Sequence, residues 1–134
     1  MTSKVVYTGD LRTMATHLRS GTIIETDAPV DNHGKGERFS PTDLVAVALA
    51  TCILTTIAIL APTINIQGAE CNVEKIMANN PRKIGEIVVT IDFPNSEPFT
   101  EEEKSRIMHI ATTCPVHQTL HPDCKRTLNF NWPE

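Results

Sequence analysis

The sequence predicts an α+β fold, in which helices pack against antiparallel strands. Three observations support this prediction. Short runs of strand-type residues are separated by turn-forming pairs, several segments open with helix-capping residues, and one long run is apolar on all sides. A chain of 134 residues is enough for one hydrophobic core, so we expect residues 1–134 to form a single domain.

Six segments combine strand-type residues with flanking turn signals and are predicted to be β-strands. They span residues 5–8, 11–18, 22–26, 69–77, 83–93 and 127–131. Turn-forming pairs at 9–10 and 20–21 separate the first three strands, and the turn at 79–81 joins the fourth to the fifth. A polar loop over 27–39 and a second loop over 94–98 are also predicted.

A long helix is predicted over residues 41–61. Ser40 can cap it, Pro41 suits its first position and Asp43 completes a capping box. Because this run has no polar face, we expect the helix to be buried on every side. A domain this small cannot cover it alone, so the sequence predicts an obligate homodimer. A membrane span is the alternative, since the run approaches the required length, but we expect no membrane association.

Two further helices are predicted near the end of the chain. Thr100 and Glu103 form a capping box that opens the first, with Ile107 and Ala111 at helical spacing. The second is short and begins at Cys114-Pro115, because proline is favoured at the first helical position.

Charge and cysteine content narrow the functional classes. The formal net charge is −4 and the basic residues are scattered singly, which argues against a nucleic-acid partner. Residues 1–20 alternate polar and apolar side chains and lack the apolar segment of a signal peptide, so we expect a cytoplasmic protein. Four cysteines are too few for a secreted disulfide scaffold and indicate individual thiols in a reducing compartment. No cofactor is predicted.

Two cysteines could carry chemistry. Cys114 lies at the predicted N-cap of a helix, where unpaired N–H groups favour a thiolate, and His117 follows in the same turn. It could also be a buried cysteine that merely caps the helix. Cys52 lies in mid-helix, where a cysteine usually behaves as a small hydrophobe. Its activation would have to come from outside the helix, from a cation such as Arg19 or Arg12.

Two motifs, taken together, resemble those of a known family. The run FSPTDLVAVALATC ends at Cys52, and TCPVHQTL follows much later and contains Cys114. Their order and separation resemble the OsmC/Ohr family of osmotically inducible and organic hydroperoxide resistance proteins. The resemblance covers essentially the whole chain. It implies an OsmC-like fold, with antiparallel sheets packed around buried central helices in an intertwined homodimer.

The resemblance also implies a function, that of a thiol-dependent peroxidase which reduces organic hydroperoxides in oxidative-stress defence. By this correspondence, Cys52 attacks the peroxide and becomes a sulfenic acid. Cys114 resolves that acid to a disulfide, and an external dithiol restores both thiols. Arg19 corresponds to the family arginine that stabilises the thiolate and binds peroxide.

The chain departs from the hydroperoxide-reductase branch at one position. That branch has a glutamate ten positions before the helical cysteine, where this sequence has Thr42. Asp43 is nearby, but nine positions from Cys52 is about half a turn round a helix, so it suits capping better. Glu37, in the preceding loop, is another candidate for the carboxylate that supports the arginine.

A metal site is the main alternative. Cys114, His117, His121 and Cys124 follow one another at spacings that would suit tetrahedral zinc. On that interpretation the protein is an OsmC-like dimer that binds zinc or another ligand and has no peroxidase activity.

Overall fold

Two three-stranded sheets and three α-helices make up the fold in the computed structural model, which describes residues 1–94 and 97–134. The mixed α+β class is therefore confirmed. Contacts divide the chain into two compact units, Met1–Val45 and Ala46–Glu134. Residues 95 and 96, in the loop predicted over 94–98, lie outside the described residues.

The first unit contains an antiparallel sheet of three strands in sequence order. They are β1 (Ser3–Gly9), β2 (Arg12–His17) and β3 (Ile23–Asp27). Asp10 and Leu11 both have positive φ, 55° and 61°, as a tight primed hairpin turn requires. The loop after β3 is tied back to the sheet, since the N–H of Asp27 donates to the carbonyl of Phe39 at 3.1 Å.

Helix α1 (Pro41–Leu60) begins with the predicted capping box. The Ser40 hydroxyl accepts the N–H of Asp43 at 3.0 Å, and the Asp43 carboxylate accepts the N–H of Ser40 at 2.9 Å. Two N–H groups that the helix leaves unpaired are thereby satisfied. Asp43 is therefore a capping residue, as the sequence predicted.

The second unit contains the other sheet and two more helices. Its strands are β4 (Glu70–Ala78), β5 (Lys83–Asp92) and β6 (Lys125–Asn131), with β5 in the middle. Helices α2 (Glu101–Ala111) and α3 (Pro115–Thr119) lie between β5 and β6 in the chain.

The second sheet corrects one prediction. Strands β4 and β5 are antiparallel, but β5 and β6 are parallel, with Glu86 opposite Lys125 and Asp92 opposite Asn131. The expected all-antiparallel pairing is therefore wrong. Parallel neighbours need a crossover connection, and the segment that holds α2 and α3 provides it.

One hydrophobic core fills the second unit. Side chains with no exposed surface come from α1, β5 and α2, and they include Leu49, Ile53, Ile57, Ile87, Val89, Ile91 and Ile107. The β5 members alternate along the strand, so one face of that strand points into the core. Full burial of one such side chain stabilises the fold by roughly 1.5–3 kcal/mol.

Burial of α1 differs from the expectation that every side is covered. Its buried residues share one face, at positions 46, 49, 50, 53 and 57. Ile59 and Leu60 are 71% and 50% exposed. The helix has a mean hydropathy of 2.3 over a window that is 28% buried, and its length and composition would suit a membrane span or the core helix of a soluble protein. The described chain therefore leaves much of this apolar helix uncovered.

Candidate active site

Helix α1 presents Cys52 in a half-buried position. Ile53, the next residue, points into the core and fixes the rotation of the helix at this level. The Sγ atom of Cys52 lies 3.8 Å from the Oγ1 atom of Thr56, one turn further along the same helix face. Cys52 therefore has a polar neighbour within its own helix.

Helix α3 presents Cys114 at its N-cap, as predicted. The backbone of Cys114 is extended, with φ −63° and ψ 151°, and Pro115 occupies the first helical position. The Sγ atom accepts the N–H of His117 at 3.4 Å. Cys114 has no exposed surface and belongs to the core cluster.

Cys52 and Cys114 lie close enough to affect each other's ionisation. Burial raises the pKa of Cys52, but three hydrogen bonds outweigh burial and hold that pKa below its ordinary value. Their donors are the N–H of Val116, the Thr56 hydroxyl and the Cys114 thiol. Of the two thiols, Cys52 is therefore the one whose ionisation its surroundings favour.

The pKa of Cys114 moves in the opposite direction. Burial raises it, the adjacent Cys52 raises it further, and the hydrogen bond from His117 offsets this in part. The N-cap position by itself favours a thiolate at Cys114, and the raised pKa runs against that expectation. Full burial of Cys114 outweighs the effect of one helix terminus.

Arg19, the arginine that the family correspondence names, lies in the first unit, whereas Cys52 and Cys114 lie in the second. Arg19 is exposed in the turn after β2, and within residues 1–94 and 97–134 its guanidinium makes no hydrogen bond or ion pair.

Two carboxylates, Asp27 and Glu37, hold Arg12 in place. Its Nε and Nη2 atoms donate to the two oxygens of Asp27 at 2.7 and 2.9 Å, and Nη2 donates to Glu37 at 3.4 Å. The bond from Arg12 holds the pKa of Asp27 at about 2, against the effect of burial and with help from the Glu37 N–H. Glu37, a predicted candidate carboxylate, thus supports Arg12, whereas the role of Asp27 was not predicted from the sequence.

The zinc spacing does not assemble into a metal site. Across the part of the chain that the structure describes, no group of three His, Cys, Asp or Glu side chains could hold a metal ion. The Nδ1 atom of His121 accepts the N–H of Asp123 at 3.0 Å. Burial raises the pKa of Cys124, although Arg126 opposes the shift. Cys114 lies fully buried in the core.

Comparison with known proteins shows which family the chain belongs to. The sequence profile of the OsmC-like protein family matches residues 34–129, which is most of the chain. The chain belongs to the OsmC-like family. The predicted resemblance is therefore confirmed, and the two-sheet architecture agrees with solved OsmC-like structures. No curated protein matches the sequence.

Three solved structures illustrate the relationship. A candidate osmotic stress induced and detoxification response protein from Psychrobacter arcticus 273-4 is 46% identical, with a TM-score of 0.93 over 98% of this chain and 96% of that one. The OsmC-like protein from Mycoplasma pneumoniae is 25% identical, with a TM-score of 0.78 over 98% and 96%. The organic hydroperoxide resistance protein OhrB of Bacillus subtilis is 18% identical, with a TM-score of 0.66 over 98% of both chains, and shares the fold.

Proposed function

We propose that this OsmC-like protein is a cysteine-based peroxidase that reduces organic hydroperoxides in oxidative-stress defence. The observation that carries the proposal is the pairing of Cys52, whose pKa its surroundings lower, with the fully buried Cys114, whose pKa burial raises. A thiolate is the nucleophile in thiol chemistry, and a second thiol in contact is what resolution of a sulfenic acid requires.

The two thiols have distinct roles in the proposed reaction. The Cys52 thiolate attacks the terminal oxygen of the hydroperoxide, the O–O bond breaks, and the alcohol leaves after taking up a proton. Cys52 is then a sulfenic acid. The Cys114 sulfur attacks the Cys52 sulfur, its proton and the hydroxyl leave as water, and a disulfide forms. An external dithiol returns two electrons and two protons through thiol–disulfide exchange.

The proposal extends to the surroundings of the site. A homodimer would cover the apolar surface that α1 leaves exposed, including Ile59 and Leu60. A cytoplasmic location would keep the four thiols reduced between turnovers. No nucleic-acid or membrane partner is proposed. Arg19 keeps its proposed role at the thiolate, and comparison of Arg19→Gln with Arg12→Gln in a peroxidase assay would test which arginine contributes.

Peptide mass spectrometry after oxidation tests the proposed function. Reduced protein is mixed with an equimolar amount of cumene hydroperoxide, and we expect a disulfide that joins the Cys52 and Cys114 peptides. In Cys114→Ser, the Cys52 sulfenic acid should persist and react with dimedone, whereas Cys52→Ser should show neither product. Cys71→Ser is the matched control, because burial and Asp92 raise the pKa of Cys71 to about 11. Oxidation confined to Cys114, or spread equally to Cys71, would overturn the proposal.

A further inference from the structure

Three threonines lie close together on α1, and the hydroxyls of two of them donate to backbone carbonyls of the preceding turn. Thr51 donates to the carbonyl of Ala48 at 3.1 Å. Thr55 donates to the carbonyls of Thr51 and Cys52 at 2.9 and 3.3 Å. Both side chains are exposed. Inside helices, a threonine hydroxyl commonly donates to the carbonyl three or four residues earlier.

Thr56 differs from both neighbours. Its Oγ1 atom lies 3.8 Å from the Sγ atom of Cys52, and the side chain is half-buried. Side chains four residues apart lie on one helix face, and each leans toward the start of the helix. The Thr56 side chain therefore lies over Cys52, with its hydroxyl at the sulfur.

The direction of this hydrogen bond depends on whether Cys52 is ionised. Either atom could donate while Cys52 is a thiol, but a thiolate sulfur can only accept, so the Thr56 hydroxyl donates once Cys52 is ionised. The N–H of Val116 and the thiol of Cys114, at the start of α3, also favour the ionised form of Cys52. Thr56 is the donor that α1 itself supplies, and its β-branched side chain has few rotamers, so the hydroxyl is held in place.

We propose that Thr56 is a positioning residue of the thiol site, whose hydroxyl holds the Cys52 sulfur in place and keeps it in the reactive thiolate form. The importance of this role for peroxide reduction rests on the proposed function. The hydrogen bond between Thr56 and Cys52 does not depend on that function, because its effect can be measured with any electrophile that reacts with Cys52.

The pH dependence of Cys52 alkylation tests the inference. Reduced full-length protein is treated with iodoacetamide over a pH series, and peptide mass spectrometry gives the rate at Cys52 alone. Thr56→Val removes the hydroxyl and keeps the branched shape. We expect its profile to move to higher pH and its neutral-pH rate to fall by roughly three- to tenfold, as for the loss of one ordinary hydrogen bond.

Matched variants separate this effect from a general disturbance of the helix. Thr56→Ser keeps the hydroxyl and should restore the wild-type profile, and Thr55→Val should leave the profile unchanged. If Thr56→Val fails to fold, Thr56→Ala carries the same test. A Thr56→Val profile equal to wild type, or an equal shift in Thr55→Val, would overturn the inference. A shifted profile without a peroxide-induced disulfide would leave Thr56 in its role and reject the peroxidase.

Discussion

Arg12 binds Asp27 through two parallel hydrogen bonds, from Nε to Oδ1 at 2.7 Å and from Nη2 to Oδ2 at 2.9 Å. Asp27 is 1% exposed and also accepts the N–H of Glu37 at 3.0 Å. One carboxylate thus joins β2, the end of β3 and the following loop. A planar guanidinium suits this geometry, which lysine could not reproduce.

Substitution of Asp27 should destabilise the first unit and change its response to pH. Asp27→Asn removes the charge that Arg12 needs, so the urea midpoint should fall at neutral pH. The pKa of Asp27 is about 2 in the fold and lies below the ordinary carboxyl value of about 3.9. The stabilisation of the fold by ionised Asp27 is therefore fully present above about pH 3.9 and is lost as the pH falls through about 2.

Urea unfolding of both proteins at a series of pH values checks this expectation. The wild-type advantage should shrink between about pH 4 and pH 2, the window that the two pKa values define. Asp10→Asn is the control, because Asp10 is exposed and its ion pair with Lys35 is long at 3.8 Å. Equal midpoints for Asp27→Asn and Asp10→Asn would contradict the structural role of Asp27.

Loss of the Cys114 thiol should make Cys52 less acidic. Cys114→Ala removes a hydrogen bond that the Cys52 thiolate accepts, so the pKa of Cys52 should rise. Cys114→Ser keeps a donor and should stay closer to wild type. Site-resolved alkylation over a pH series measures both, with Cys71→Ser as the control. If Cys114→Ala and Cys71→Ser gave the same Cys52 profile, the two thiols would not be coupled.

Removal of the charge at Arg126 should raise the pKa of His117. Burial first, and then the charge of Arg126, hold that pKa below its ordinary value. Arg126→Gln should therefore raise it, and Arg126→Lys should leave it nearly unchanged. NMR titration of the imidazole resonances measures the difference. Arg106→Gln, on α2, is the control for loss of an arginine elsewhere. An equal rise in the His117 pKa in that variant would contradict the direct effect of Arg126 on His117.

The capping box at the start of α2 should contribute measurably to stability. The Thr100 side chain accepts the N–H of Glu103 at 3.1 Å, and Glu103 accepts the N–H of Thr100 at 2.8 Å. Thr100→Ala should cost about 1 kcal/mol in the free energy of unfolding, whereas Thr100→Ser should cost little. Urea denaturation measures both. Thr112→Ala, at the other end of the same helix, controls for loss of a hydroxyl.

Helix starts were predictable because their signals are local. Ser40 with Asp43, Thr100 with Glu103, and Cys114 before a proline each specify an N-terminus within four residues of sequence. The structure confirms all three starts. Strand ends agree to within one or two residues for the same reason, since turn-forming residues flank them.

Pairing direction and burial were not predictable from local signals. Strand β6 has the same composition whether it pairs parallel or antiparallel to β5, and the outcome depends on the path of the intervening chain. The apolar run of α1 likewise shows which residues could be buried, but not which face the rest of the chain covers.

The candidate site was predictable in part. The paired motifs named Cys52 and Cys114, and the structure brings these two thiols together. The order of their acidities depends on tertiary contacts. The N–H of Val116 is more than sixty residues from Cys52 in the sequence, and the burial of Cys114 depends on the whole core. The pairing of Arg12 with Asp27 is also a contact across strands that no single motif contains.

The parallel pairing of β5 with β6 has a consequence for the order in which the chain folds. The β4–β5 hairpin closes a short turn, but Thr90 meets Asn129 across 39 residues of sequence. Closing a longer loop costs more chain entropy, and such non-local contacts form late. We therefore expect the segment with Cys114 to reach α1 after the hairpin has formed. During that interval in a newly made chain, the thiols of Cys52 and Cys114 would be open to oxidants and to disulfide formation with other thiols.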